Sequence, residues 1–222
     1  MKNIWLPAFF AFSFLQIIGV ITGLEGLCMI SKPFMMPMLA LWLASETQHS
    51  PSLLRKGWLT GLAFSTLGDV LLMFEGSIYF ILGLSAFLLA HLSYIFGISK
   101  GLRDSRGFLL KNPWWFIPFL VYPMALMSWL FADIPAEMRI PVVVYAVVIA
   151  TMAQSVANLN GYIPGYIFWM LMGGAILFVL SDSLIAVNKF GHPFAGGRLA
   201  VISTYIVGQY FLARGVVSIL RN

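Results

Sequence analysis

Two aspartates sit in strongly apolar stretches of this 222-residue chain. Asp69 lies inside "TLGDVLLM" and Asp182 inside "VLSDSLIA"; each run reads Leu, then Gly or Ser, then Asp, one further residue, and Leu. A charge at the centre of a bilayer costs about 2.5–3.5 kcal/mol on insertion scales, so an ionisable residue there points to proton movement, a substrate path or catalysis. Lys32, placed at the start of another apolar run, could neutralise one of the two carboxylates. A carboxylate pair with a lysine suits acid–base catalysis, and it equally suits proton-coupled transport. The residues by themselves leave those two readings level.

Composition dictates the setting. Hydrophobic residues make up 60% of the chain and charged residues 9%, against about 25% charged in an ordinary soluble domain. Mean hydropathy is +0.92. Too little polar surface exists to coat a globule in water, so the expectation is an integral membrane protein. The net charge of +5 is no nucleic-acid signal, because the basic residues fall in the breaks between apolar runs. The single cysteine, Cys28, excludes an intrachain disulfide. The N-terminal stretch "MKNIWLPAFFAFSFLQIIGVITG" reads as an uncleaved first helix rather than a signal peptide.

Eight apolar segments reach spanning length, near 4–23, 29–45, 57–74, 77–99, 113–132, 139–157, 165–188 and 198–220. The runs are continuous rather than alternating, which means helices and not barrel strands. The expected fold is therefore all-α, a single transmembrane domain of eight helices over 1–222. Lys2, Arg55, Lys56, Lys100, Arg103, Arg106, Lys111 and Arg221 fall on one side; Arg139, Lys189 and Arg198 fall on the other. By the positive-inside rule both termini are cytoplasmic, which in a bacterium means the inner membrane. The two Asp motifs are 113 residues apart, in the third and seventh helices, as a duplicated four-helix unit would place them. GxxxG spacings at Gly19/Gly23, Gly57/Gly61 and Gly97/Gly101 permit close helix approach, but they are common in such sequences and carry little weight.

With this topology Asp69, Asp182, Lys32, Tyr145 and Tyr205 converge on one stratum, in the half of the bilayer away from the cytoplasm. Helical spacing puts Gly61, Ser65, Gly68 and Asp69 on one face, and Gly174, Phe178, Ser181 and Asp182 on another. Phe87, His91 and Tyr94 share a face of the fourth helix, with His91 nearer the cytoplasmic side. Gln209 suits a helix–helix hydrogen bond, and Glu25 is placed to pair with Lys32. His49 and His192 lie in loops on opposite sides, so the histidines form no metal site, and no HExxH pair occurs.

The ordered set "SKPFMMP", "GDVLLM", "FLLAHLSY", "GAILFVLSDSLIA" and "TYIVGQYFLA" resembles the YhhN-like membrane proteins, over the stretch from Lys32 to about Ala213. That resemblance implies an eight-helix lysoplasmalogenase, an ether hydrolase that cleaves the vinyl-ether bond of a lysoplasmalogen held in the bilayer. The products are a fatty aldehyde and glycerophosphocholine or glycerophosphoethanolamine. No cofactor, metal or obligate protein partner is implied. Carried over by motif, the residues of interest are Lys32, Asp69, His91, Tyr94, Ser181, Asp182, Tyr205 and Gln209, with Asp69 and Asp182 as acid and stabiliser in either order. A small proton-coupled transporter using the same Asp pair is the alternative.

Overall fold

The protein is described by a computed structural model covering residues 4–102 and 107–221. Lys2, Arg103 and Arg106, three of the residues behind the expected orientation, lie outside the described residues. The elements are α1 (Trp5–Thr22), α2 (Glu25–Glu46), α3 (Leu53–Leu71), α4 (Ser77–Gly101), a short α5 (Phe108–Lys111), a 3₁₀ turn (Pro113–Phe116), α6 (Ile117–Leu130), α7 (Ala136–Ala157), α8 (Gly165–Phe190) and α9 (Gly197–Arg221). Among the described residues there is no strand.

Local chemistry sets the helix ends. Gly23 closes α1 in the left-handed conformation, φ 71°, with its N–H returned to the Gly19 carbonyl. The reversal needs only one more residue, so α2 begins at Glu25 rather than near residue 29. Ser52 caps α3, its hydroxyl accepting from the Arg55 N–H at 3.1 Å, and so starts that helix at Leu53. The expected fifth span divides: Pro113 opens a 3₁₀ turn, and α6 proper runs from Ile117 with Pro123 inside it.

Seven helical segments among the described residues are long and apolar enough to cross a membrane: α1, α2, α4, 113–130, α7, α8 and α9. The segment expected as the third span, α3, is 19 residues long and carries Arg55, Lys56 and Asp69. Phe14, Ile30, Trp129, Val147 and Ile176 point outward, each more than half exposed. A surface of this kind needs a hydrocarbon solvent, and the chain is a multi-pass membrane protein.

Two poles follow from the ties between helix ends. At one, the Arg198 guanidinium grips the Glu25 carboxylate with two bonds of 2.6 and 3.0 Å. Glu25 thus pairs with Arg198 and not with Lys32, because the α8–α9 connection comes down beside the α1–α2 turn. At the other pole, Ser50 donates to the Leu220 carbonyl at 2.8 Å and Arg221 pairs with Glu46. This second pole also receives the start of α1, and is called the terminal pole below; the first is the distal pole.

Two helix pairs make the tightest crossings. A Cβ added at Gly57 would lie 2.6 Å from the Cα of Gly97 and 2.6 Å from the Ser93 carbonyl oxygen, so α3 and α4 meet backbone to backbone. The GxxxG spacings of α3 and α4 are therefore packing positions, with Gly101 seated on Leu54. Gly174 and Gly208 do the same for α8 and α9. By contrast α6 is held loosely, with Leu130 its one fully buried residue. Gly57→Ala is expected to lower stability by about 1–3 kcal/mol through overpacking, whereas Gly26→Ala, which would meet nothing within 4 Å, should not. Thermal unfolding of the purified variants in detergent would show the difference, and equal midpoints would refute the close crossing.

Candidate active site

The buried face of α3 carries Gly61, Ser65, Gly68 and Asp69, as its spacing predicts. Asp69 accepts a hydrogen bond from the Tyr205 hydroxyl at 2.7 Å, and Lys32 Nζ stands 3.9 Å from its other oxygen. Toward the terminal pole lies a second layer of polar groups. The Tyr94 hydroxyl donates to Gln209 Oε1 at 3.2 Å, and Gln209 Nε2 donates to Ser65 Oγ at 3.1 Å. Gly61 makes room for this layer, since a side chain there would overlap the Tyr94 ring. Trp58 stacks on the other side of Tyr94 at 4.7 Å between centroids.

Asp182 has its own pair of partners. The Tyr145 hydroxyl donates to Asp182 Oδ2. His91 Nε2 lies 3.0 Å from that hydroxyl and 3.5 Å from the same carboxylate oxygen. With the tyrosine proton directed at the carboxylate, its oxygen is left to accept, which places a hydrogen on His91 Nε2. His91 is fully buried, and its Nδ1 has no protein partner. Counting residues from helix ends puts His91 nearer the cytoplasmic side, yet it belongs to the Asp182 cluster. The count treats helices as parallel and level, and packed membrane helices tilt and slide relative to one another.

Aromatic rings separate the two clusters. Phe178 lies 4.7 Å from the His91 ring and 5.5 Å from the Tyr205 ring, and Phe87 lies 5.9 Å from Tyr205. The carboxylates remain within electrostatic reach of one another. Their surroundings differ in access. Asp182 lines a small cavity of about 60 Å³, together with Tyr145, Phe87, Val179 and Leu126. Asp69 does not line it; Phe87, seated on Gly68, stands at the cavity wall instead.

The partners obey a numerical relation. Lys32 and Tyr145 are 113 residues apart, the same offset that separates Asp69 from Asp182. Each aspartate thus meets a residue of the preceding long helix at an equivalent position. Each also meets a residue from the other half of the chain: Tyr205 of α9 for Asp69, and His91 of α4 for Asp182.

Ser181 turns away from both clusters and donates to the Val201 carbonyl at 3.1 Å, tying α8 to α9. Tyr94 and Gln209 likewise tie helices rather than touch either carboxylate. Two residues of the site escape the sequence reading. The Tyr122 hydroxyl donates to Ser183 Oγ at 2.9 Å, joining α6 to α8 beside the cavity. Ser183 stands next to Asp182 in the quoted motif, which was its available signal; Tyr122 has none beyond its neighbour Pro123. Among the described residues no three His, Cys, Asp or Glu side chains come together as metal ligands would.

The fold and this cluster define a multi-pass helical protein with paired carboxylates at its centre. Residues 27–216 match the YhhN family, and the chain belongs to it. It is similar to the lysoplasmalogenase TMEM86A of Bos taurus, 29% identical over 163 residues, which covers 71% of this chain and 63% of that protein. To the lysoplasmalogenase TMEM86B of Homo sapiens it is 26% identical over 173 residues, covering 78% of this chain and 66% of that one. A Mycobacterium tuberculosis lysoplasmalogenase is 29% identical over 172 residues, 75% of this chain and 62% of its own length. The chain therefore spans just under two thirds of these relatives. No solved structure matches it. These relatives carry the name of a hydrolase, and the transporter alternative gains no support from them.

The second polar layer gives a test independent of activity. Gln209→Leu removes the amide that bonds both the Tyr94 hydroxyl and Ser65 Oγ in a buried layer, and is expected to cost about 1–3 kcal/mol. Adding Tyr94→Phe to it should cost less than the two single losses summed, read as a coupling in thermal or denaturant unfolding; strict additivity would deny the contact.

Proposed function

We propose that this protein is a lysoplasmalogenase that works by carboxylic-acid catalysis, with Asp182 as the acid. The observation that carries this reading is the contrast between the two aspartates. Asp69 is enclosed and has a cationic partner, Lys32, with a tyrosine hydroxyl to complete its hydrogen bonding. Asp182 is met by the Tyr145 hydroxyl and the His91 ring, and it opens on an apolar cavity. The lysine stands beside Asp69, whereas the carboxyl group that meets open space is Asp182. Two carboxyl groups with divided roles around an oxocarbenium ion is the logic of glycosidases.

The steps balance with one water. Asp182 delivers its proton to the vinyl carbon that is β to the ether oxygen, and the π electrons form the new C–H bond. The resulting oxocarbenium ion is stabilised by the negative charges of Asp182 and, across the aromatic layer, Asp69. Water adds to the carbon bearing the oxygen and returns a proton to Asp182. The hemiacetal then breaks its bond to the glycerol oxygen, which takes the hydroxyl proton, and leaves as the alcohol; the other product is the fatty aldehyde. Tyr145 and His91 hold the Asp182 carboxyl group in line. The substrate is a lysophospholipid within the bilayer, and no protein partner enters the chemistry.

The topology that goes with this reading has eight spans, α3 included, with both termini in the cytoplasm. In a bacterium that places the enzyme in the inner membrane, with the carboxylates toward its outer side.

Detergent-purified protein is expected to release aldehyde from a lysoplasmalogen. Asp182→Asn should lower the rate by roughly 10²–10⁴-fold, the usual worth of a positioned general acid, and Asp69→Asn by less. A folded Asp182→Asn protein with a near-normal rate would refute the assignment. Because the proton comes from a carboxylic acid, EDTA should leave the rate unchanged; loss on chelation with recovery on adding metal would call for another mechanism.

A further inference from the structure

A second, larger cavity lies beyond the one at Asp182. It occupies about 580 Å³ between α6, α7 and α8, inside the range of roughly 300–1,000 Å³ typical of small-molecule sites. It is contiguous with the Asp182 cavity: Leu126, Ala146, Ile149, Val179 and Ser183 line both. From that shared wall it runs toward the terminal pole, where Phe108, Trp115 and Trp169 bound it. We propose that this cleft is the subsite for the hydrocarbon chain of the substrate, and that the chain lies along α8 with its reactive end at Asp182. The assignment rests on the lysoplasmalogenase reading for the identity of the lipid.

Three observations favour one hydrocarbon chain as the occupant. The first is length. From Ser183 to Trp169 α8 runs 14 residues, or about 21 Å at ~1.5 Å per residue. A single leaflet of the hydrocarbon core is about 15 Å deep, half of ~30 Å, so a whole membrane-length chain fits. The second is the lining. Along this cleft α7 presents Ala146, Ala150, Ala153 and Ala157, and α8 opposes them with Met172, Ile176 and Val179. Tyr122 and Ser183, polar groups on the same wall, are already bonded to each other. The third is how the space arises. Pro118 and Pro123 both line it, and α6, which carries them, is the loosely held helix, so its outer wall is the element free to admit a lipid from the side. One slot ending at one carboxyl group accommodates one chain, which accounts for a single-chain lipid as substrate.

Two measurements on the full-length protein test this. A non-cleavable single-chain ether lysophospholipid with a terminal diazirine is photolysed with the protein in detergent, and the labelled peptides are mapped. Labels in 108–119 or 168–172 support the subsite; labels confined to α1, α2 or α9 overturn it, whatever the enzyme's activity. In the second, Ala153→Phe should lower the ratio of kcat/KM for long-chain over short-chain lysoplasmalogens by about tenfold or more. Ala150→Leu on the same wall serves if Ala153→Phe does not fold, as judged by gel filtration and thermal unfolding. An unchanged ratio in a folded variant overturns the subsite while wild-type cleavage still upholds the functional reading. Failure of the wild type to cleave any lysoplasmalogen overturns the functional reading, and the crosslink still decides whether the cleft holds a chain.

Discussion

A carboxylate inside a bundle that faces lipid has no water to fall back on, so protein groups must meet it. Asp69 is met by Lys32 of α2 and Tyr205 of α9, and Asp182 by Tyr145 of α7 and His91 of α4. Those contacts, with the two aspartates on α3 and α8, fix six helices relative to one another. The remaining long helices, α1 and α6, contribute nothing to either carboxylate. α1 is nevertheless packed along α2, whereas α6 is lightly attached. Satisfying the buried charges therefore ties the centre of the bundle together, and it leaves α6 as a peripheral wall joined to it by few contacts.

An aspartate side chain is short, and it can reach across a helix pair only if the pair is close. The glycines supply that proximity where hydrophobic driving force between helices is absent, because lipid tails compete equally for apolar surface. Gly57 against Gly97 and Gly174 against Gly208 bring backbones together. Gly61 and Gly68 act differently, each admitting an aromatic ring: Tyr94 at the first, Phe87 at the second. Tyr94 then reaches Gln209, and Phe87 forms part of the screen that keeps Asp69 off the cavity. Packing and chemistry share these positions, so the same glycine face both builds the crossing and shapes the site.

Much of this is legible in the chain itself. Continuous apolar runs give the helices, because backbone in lipid must satisfy its own hydrogen bonds. Helical spacing gives the faces around Asp69 and Asp182, and depth counting puts Lys32, Tyr145 and Tyr205 in one stratum with the carboxylates, without saying which meets which. The count misplaces His91, since it is blind to tilt and to the sliding of α4 against α7. It also misassigns Glu25, because the partner Arg198 is 173 residues away and only the closed bundle brings them together. The cleft is invisible for a related reason. Alanines on α7 look like packing residues, and whether a neighbour fills the space in front of them depends on where α6 stands, which the prolines influence but no spacing rule encodes.

The shared offset of 113 residues makes the differences between the halves informative. A symmetric pair of sites would give the two carboxylates the same partners, and these two differ. At the matching offset one half has Lys32 and the other Tyr145, and that exchange gives Asp69 a lysine and Asp182 a tyrosine hydroxyl. A second departure falls in the same half. α6 occupies in the second half the place α1 has in the first, yet α1 packs along its neighbour while α6 stands off and leaves the cleft. The half without the lysine is thus also the half with the open wall. Both changes fall beside Asp182: one sets a tyrosine hydroxyl against it where the first half has a lysine, and the other leaves an apolar cleft open next to it.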